Sequence, residues 1–280
     1  MSQPSPLSYK EIAHTVEDYL TKCDRVKGWH LDATEPISDD VVNYFPFAEQ
    51  KNVGVHLSYR SSALNLLTKC AVSVNPSSWF RFLPTFEYNW ARDNIAQTIE
   101  FACSSTTLKY TASHPVFHAE VHSLLADGGS GSAAVSTCLT KDALLGMEVH
   151  YDPRRSGLKD FTVLAVQNGC PAFSQGDILA KYSFLRGLGL HLRVPVSSYL
   201  DAAVISESQR FIVGCQGRSP CGAKMLFNIN VSDATSTITA IRNVQDMWKV
   251  TLTCTRPLTT SSCVRPSVGV RFTNEDVPVD

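Results

Sequence analysis

Apolar and polar residues alternate one by one through most of this chain, from about residue 50 to residue 272. A period of two places successive side chains on opposite faces of an extended strand, so each run predicts a strand with one apolar and one polar face. Turn-forming residues separate the runs, and no helical run of comparable strength interrupts them. The alternation therefore predicts an all-β chain in which short turns join neighbouring antiparallel strands. The clearest runs cover residues 53–59, 145–151, 188–196, 248–254 and 264–272.

An amphipathic sheet of this kind can be stable in water or in lipid. In water its apolar face must turn inward, as in a sandwich or a small soluble barrel, whereas in lipid that face turns outward and the polar face lines a lumen. Charges along whole strands suit either a solvated lumen or an outer surface. Aromatic residues near the ends of runs suit an interfacial girdle, and these are Tyr59, Trp90, Tyr151, Trp248 and Phe272.

The length of the alternating region favours a membrane barrel over a soluble sandwich. Strands that cross a bilayer need about 9–11 residues each, and their turns add a few more. Residues 34–275 therefore hold roughly 16–20 strands at that repeat. A soluble sandwich domain rarely needs so many strands. A barrel of that size encloses a water-filled channel.

Composition and motifs give no support for catalysis or for a bound cofactor. The net charge is −1, so a nucleic-acid partner is not expected. The nine cysteines form no C-x-x-C pair, and no phosphate-binding loop or nucleophile–base pair is found. His114, His118 and His122 are spaced by four residues, which on a strand separates neighbours by about 13 Å and is too far for one metal ion. We therefore predict no enzyme activity, no cofactor and no metal site.

The N-terminal segment follows a different period. Residues 8–22 place apolar side chains at helical spacing with charged residues opposite. Ser8 followed by Glu11 forms a capping box, which favours a helix start at this point. The segment predicts one short amphipathic helix before the sheet. Its apolar stripe requires a surface to dock on, and the inner wall of the barrel is such a surface.

Two terminal motifs resemble those of the voltage-dependent anion channels, the mitochondrial porins. At the N-terminus these are Pro6-x-x-Tyr9-x-Glu11-Ile12, then Asp18-x-x-Thr21-Lys22 and Gly28-x-x-Leu31-Asp32. At the C-terminus, Arg265-x-Ser267-x-Gly269-Val270-Arg271-Phe272 resembles the last-strand sorting signal of mitochondrial barrels. The specific matches cluster at the two ends, while the layout of the whole chain is similar.

The resemblance implies a particular fold, location and activity for a diverged member of this family. The implied fold is a transmembrane antiparallel β-barrel of about 19 strands with the N-terminal helix in the lumen. The implied activity is a voltage-dependent, weakly anion-selective diffusion pore for metabolites and nucleotides in the mitochondrial outer membrane. Membrane lipids and metabolite anions such as ATP and ADP are the expected partners, and a second copy of the chain is a candidate partner.

These expectations divide the chain and assign its candidate site residues. The predicted parts are an N-terminal segment over 1–33 with the helix at 8–22 and a linker, the barrel over 34–275, and a tail over 276–280. A helix that shapes gating would act through Tyr9, Ile12, Val16, Asp18 and Lys22. Inward acids, which we expect to be fewer than the bases, are Glu87, Glu100, Glu120, Glu148 and Asp152. The predicted pore-lining bases are Arg60, Lys69, Arg81, Lys109, Lys181, Arg193, Lys224, Lys249, Arg265 and Arg271.

A surplus of positive charge on the wall would concentrate anions in the lumen. Each base could instead be an ordinary solvated surface residue. Two other functions also remain open from the sequence. A protein-import pore of the related translocase class would share the barrel and the helix, with acidic patches along its path. A soluble β-sheet binding protein would bury the apolar faces instead.

Overall fold

A computed structural model describes residues 7–21, 28–33, 37–49, 52–75, 78–155, 157–173, 175–244, 248–259 and 265–273. These residues form one helix and nineteen strands. The helix α1 spans Tyr9–Thr21. The strands are β1 (Gly28–Asp32), β2 (Val42–Glu49), β3 (Asn52–Ser61), β4 (Leu66–Asn75), β5 (Ser78–Arg92), β6 (Ile95–Ala102), β7 (Thr107–Ser113), β8 (Phe117–Leu124), β9 (Ser130–Cys138), β10 (Ala143–Asp152), β11 (Gly157–Cys170), β12 (Gly176–Ser183), β13 (Gly187–Ser197), β14 (Leu200–Glu207), β15 (Arg210–Arg218), β16 (Lys224–Asn230), β17 (Thr235–Val244), β18 (Trp248–Pro257) and β19 (Ser267–Thr273).

The strands close into a single barrel. Each pairs antiparallel with the next along the chain, and β1 also pairs with β19. That last pairing is parallel, from Gly28 opposite Gly269 to Asp32 opposite Thr273. An odd number of up-and-down strands makes the first and last run in the same direction, so a closed barrel needs one parallel pair. The predicted transmembrane β-barrel fold is confirmed, with this pair as the departure from a fully antiparallel sheet.

The alternation read from the sequence separates the two faces of the barrel wall. Leu252 lies opposite Val270 and Cys254 opposite Val268, and the register carries the same face from strand to strand around the ring. Leu252 and Val268 are exposed on the outside, as a lipid-facing surface requires. The aromatic residues near strand ends share this outward face, within two residues of an end. They are Tyr59, Trp90, Tyr151, Trp248 and Phe272.

The barrel begins earlier than the sequence pattern predicts. Residues assigned to the linker form β1, so the predicted boundary between residues 33 and 34 is too late. Trp29 and Leu31 alternate with His30 and Asp32, but five residues are too few for the alternation to stand out. Within the described residues, no helix has both the length and the apolar character needed to cross a bilayer.

Arg265 also departs from its predicted position. It lies before β19, which begins at Ser267, so it is not on a wall strand. The intervening Pro266 has no N–H group to donate to a ladder, and this residue type is confined to strand ends and edges. The last strand therefore starts after the proline.

Helix α1 lies inside the barrel and follows the predicted span of 8–22 to within one residue at each end. The capping box forms as predicted, because the Ser8 backbone N–H donates to Glu11 Oε2 at 2.7 Å and the Glu11 N–H donates to Ser8 Oγ at 3.3 Å. The helix contacts β9, β10 and β12–β16 and thus covers one side of the wall.

Candidate channel lumen

The apolar stripe of α1 packs on apolar residues of the inner wall. Tyr9 and Ile12 form one buried cluster, whose wall residues are Ala134, Leu144, Leu164, Val166 and Leu179. Val16 and Leu20 form a second cluster with Ala203, Ile205 and Ile212. These wall residues form an apolar patch on the inner face, directly under the helix. The wall therefore offers an apolar surface that matches the apolar stripe of the helix. The residues of this surface lie on strands in which the alternation of apolar and polar residues is weak.

Two glycines allow the helix to approach the wall closely. A Cβ added at Gly146 would lie 2.9 Å from Cδ2 of Tyr9, and one added at Gly214 would lie 2.8 Å from Cδ2 of Leu20. Both distances are shorter than real carbon contacts, so a larger residue would push the side chain away. The glycines sit under the two ends of the helix and define its distance from the sheet.

Polar contacts fix the helix in addition to its apolar stripe. The Asn228 amide donates to the Leu20 backbone oxygen at 2.8 Å, which satisfies a carbonyl at the C-terminal end of the helix. Tyr19 donates its hydroxyl to Asp201 Oδ2 at 3.0 Å. Ser136 donates to the Leu7 backbone oxygen at 2.6 Å. Hydrogen bonds therefore hold the helix to the wall near both of its ends.

Glu17 carries the charged contact between helix and wall. It pairs with Arg210 of β15 and lies 2.9 Å from His14 Nδ1 on the helix itself. Hydrogen bonds from His14 and Arg210, together with their positive charge, lower the pKa of Glu17 to about 2 despite its burial. Glu17 thus supplies a carboxylate to a wall arginine from the helix.

The structure describes the side chains of three of the five residues through which the helix was predicted to shape gating. Tyr9, Ile12 and Val16 are buried against the wall, as a docked helix requires. Asp18 belongs to α1, but its side chain lies outside the described residues, as does the whole of Lys22. A role of this helix in gating stays a prediction.

Eight of the ten predicted pore-lining bases occupy inward positions of the wall. They are Arg60, Lys69, Lys109, Lys181, Arg193, Lys224, Lys249 and Arg271. Arg81 lies opposite Ser73 in the register of β4 and β5, and its side chain lies outside the described residues. Arg265 is the exception described above.

Most of these bases are paired with acids. Arg271 lies 3.0 Å from Asp32, Lys69 lies 3.1 Å from Glu87, and Lys109 lies 3.4 Å from Glu120. Three further pairs follow the same pattern: Arg60 with Asp39 at 3.7 Å, Arg193 with Asp177 at 2.8 Å, and Lys181 with Glu207. Ion pairing therefore cancels much of the positive charge expected to attract anions.

The expectation that inward acids are fewer than inward bases is wrong for the described residues. The five predicted acids are all at inward positions of the wall. Six further acids share that face and were not assigned from the sequence, while Arg210 and Arg218 were missed among the bases. The acids that sequence reasoning missed are Asp32, Glu49, Asp160, Asp177, Asp201 and Glu207.

The strand predicted across the three spaced histidines contains two of them. His118 and His122 lie on β8, whereas His114 precedes it. Ser113 Oγ lies 2.7 Å from His118 Nδ1, and Glu120 lies 3.7 Å from His122 Nε2. Across the described ranges, no three His, Cys, Asp or Glu side chains are grouped so that they could hold a metal ion.

No protein-family model matches this chain, and no curated protein matches it.

Proposed function

We propose that this chain is a diffusion pore for metabolites and nucleotides in the mitochondrial outer membrane, a diverged member of the voltage-dependent anion channel family. The observation that carries the proposal is the closed ring of nineteen strands, apolar outside and polar inside. A shell of this polarity fits a lipid surround and an aqueous interior. The terminal motifs described above support the choice of family and membrane.

The size of the ring supports passage of solutes. Nineteen strands about 4.8 Å apart and tilted by about 40° enclose a cylinder roughly 35–40 Å across between backbones. An α-helix with its side chains is about 10–12 Å wide. The docked helix therefore occupies only part of the interior, which leaves an aqueous passage beside β1–β8 and β17–β19.

The charges of the wall support weak selectivity. Paired acids and bases produce a small net potential, and salt screens it over about 10 Å at 0.1 M. The predicted anion preference belongs to this proposal only as a modest one. Voltage-dependent closure is part of the same proposal.

Planar-bilayer recording of the purified protein tests this function. We expect stepwise conductance, a reversal potential close to zero in a salt gradient, and a lower conductance at high voltage. Deleting residues 1–24 is expected to change the voltage response. An absence of conductance above background would overturn the pore, and an unchanged voltage response would overturn the role of the helix.

A protein-import pore is the second candidate, because acids line much of the wall. Glu100, Glu148 and Asp152 share the inner face with the six acids that the sequence did not reveal. An import pore would purify with small helical partner proteins, and basic presequence peptides would block its current. A diffusion pore would purify without them and would conduct in the presence of such peptides.

A further inference from the structure

The outer face of the barrel carries a cluster of aromatic and polar side chains where β5 turns into β6. Trp90 lies opposite Gln97, and Ile99 lies opposite both Tyr88 and Tyr110. Opposite residues share a face of the sheet, so these side chains all point outward with Trp90. Trp90 comes two residues before the end of β5, and Gln97 comes two residues after the start of β6. The cluster, here called the interfacial cluster, therefore lies at the depth of the lipid headgroups.

The aromatic rings of the interfacial cluster lie side by side. The ring centroids of Tyr88 and Trp90 are 5.4 Å apart with an angle of 28° between the ring planes. The centroids of Trp90 and Tyr110 are 6.3 Å apart. Tyr88 is 45% exposed, so its ring is open to the surroundings of the barrel. Aromatic faces attract cations, tryptophan most strongly, and clustered rings recognise quaternary ammonium groups.

Gln97 brings an unsatisfied donor to this surface. The Tyr110 hydroxyl donates to Gln97 Oε1 at 2.7 Å, which fixes the amide with its nitrogen directed elsewhere. That nitrogen carries two N–H donors and has no acceptor among the described residues. Hydrocarbon offers no acceptor, and an amide left without one costs free energy. A lipid phosphate or ester oxygen is the acceptor that this position can reach.

The turn above the interfacial cluster carries one charge of each sign. Arg92 Nε lies 3.3 Å from Asp93 Oδ2, and the two side chains are 82% and 83% exposed. Arg92 lies opposite Ile95 and so shares the outward face of Trp90. The pair has no net charge. Electrostatic complementarity therefore favours a zwitterionic headgroup here over an anionic one.

We propose that the interfacial cluster binds the headgroup of phosphatidylcholine. The trimethylammonium group lies against the rings of Tyr88 and Trp90, and an oxygen of the phosphate or ester accepts a hydrogen bond from Gln97 Nε2. A primary ammonium, as in phosphatidylethanolamine, is compact and strongly hydrated, so it gains less from aromatic faces. The inference rests on the membrane location in the proposed function and is independent of conduction through the lumen.

Tryptophan fluorescence tests the site, because bromine on a lipid chain quenches a tryptophan that the lipid contacts. The chain has four tryptophans, so the variant Trp29→Phe, Trp79→Phe, Trp248→Phe reports from Trp90 alone. The matched control, Trp29→Phe, Trp79→Phe, Trp90→Phe, reports from Trp248, which faces outward at the same end of the barrel. Trp248 lies opposite Val244, with neither an amide nor a second ring against it in the described part of the chain.

Both proteins are placed in vesicles of equal parts dioleoylphosphatidylcholine and dioleoylphosphatidylethanolamine, with bromine on the chains of one lipid and then of the other. At Trp90 we expect phosphatidylcholine to be favoured about threefold, and at Trp248 we expect nearly equal quenching by the two lipids. Adding Gln97→Leu or Tyr88→Leu to the Trp90 reporter should lower the preference to the level at Trp248. Circular dichroism reports that each variant is folded.

Equal lipid ratios at Trp90 and Trp248 would overturn the headgroup site, as would a preference that both leucine variants leave unchanged. A second mixture replaces phosphatidylethanolamine with dioleoylphosphatidylglycerol. Preference for this anionic lipid at Trp90 would assign the surface to Arg92 alone and would also overturn the proposal. The pore is judged separately. Conductance without a lipid preference would overturn the headgroup site alone, and a lipid preference without conductance would overturn the proposed pore alone.

Discussion

Two sectors of the barrel use their inner faces differently. Strands β1–β14, here called the acid-rich sector, carry all eleven inward strand acids of the described residues, whereas strands β15–β19, here called the acid-free sector, contain no Asp or Glu. In the acid-rich sector, carboxylates face bases at short range, as Asp177 faces Arg193 at 2.8 Å. In the acid-free sector, uncharged residues lie between the bases, both polar ones such as Thr239 and apolar ones such as Ile241. The whole chain has a net charge of −1, which hides this division. Because salt screens each charge over a short distance, the preference for anions or cations at any point inside a wide barrel is set by the nearest strands and not by the net charge of the chain.

The largest effect should come from removing a structural acid of the acid-rich sector. Glu207 contacts Lys181 and lies 2.8 Å from Nε2 of His191, which is fully buried. Glu207→Gln would leave a largely enclosed Lys181 without its partner and should lower the free energy of unfolding by about 3 kcal/mol. Thermal unfolding in detergent measures the loss.

The matched control is Glu49→Gln, because Glu49 and its partner His30 are both partly exposed to solvent. We expect a change below about 1 kcal/mol there. Equal losses in the two variants would show that the acids of this sector are not held in place by burial.

A smaller effect should follow from the helix carboxylate that serves the acid-free sector. Glu17 has a pKa of about 2 in the folded protein against an ordinary value of 4.5. A carboxyl with a lowered pKa stabilises the folded state above its unfolded pKa and loses that effect as the pH falls through the folded pKa. Docking of α1 should therefore be constant from pH 7 to about 5 and weaken by about 2 kcal/mol toward pH 2.

Hydrogen exchange of the α1 amides, corrected for the intrinsic rate at each pH, measures this docking. Glu17→Gln should reproduce the low-pH protection at pH 7 and remove the pH dependence. Protection that stays the same in wild type and variant at every pH would contradict the assignment of Glu17 as the contact to Arg210.

The smallest energetic effect should come from adding one acid to the acid-free sector. Asn243 lies opposite Lys249, so Asn243→Asp would create a cross-strand ion pair of about 0.5 kcal/mol. We expect little change in stability and a small shift of ion preference toward cations, measured as the reversal potential in a salt gradient. The control Ser132→Asp adds an acid to the inner face of β9, where acids are already frequent, and should shift the reversal potential less. Equal shifts in both would remove the distinction between the sectors.

Most of the fold could be predicted from the sequence because alternation is a local property of each strand. The outward positions of Leu252 and Val268 follow from their own neighbours. The register of β1 with β19 could not be predicted this way, because it joins residues at opposite ends of the chain. The start of β19 was missed because a single proline changes the strand boundary without changing the apolar pattern.

The inner wall was predicted less well than the fold. Asp177, Asp201 and Glu207 lie on β12 and β14, whose inner faces also carry Leu179 and Ile205 for the helix, so their alternation is weak. The pairing of β10 with β11 changes register after His150, next to Asp160. This irregularity changes which residues of β11 face inward on its two sides. Sequence reasoning therefore found bases on strands with clear alternation and missed acids beside the helix, and the expected surplus of positive charge is absent from the wall.

The parallel closure of the barrel also has a consequence for how the chain assembles. Every other described pairing joins strands that are consecutive in the sequence. Each strand can therefore pair with the previous one after closing only a short loop. The joint between Gly28 and Gly269 can form only after synthesis has reached the final strand, and it has the largest loop-closure entropy. β1 contributes only five residues to it. This joint is the last that can form, and its formation should therefore limit the rate at which the barrel assembles.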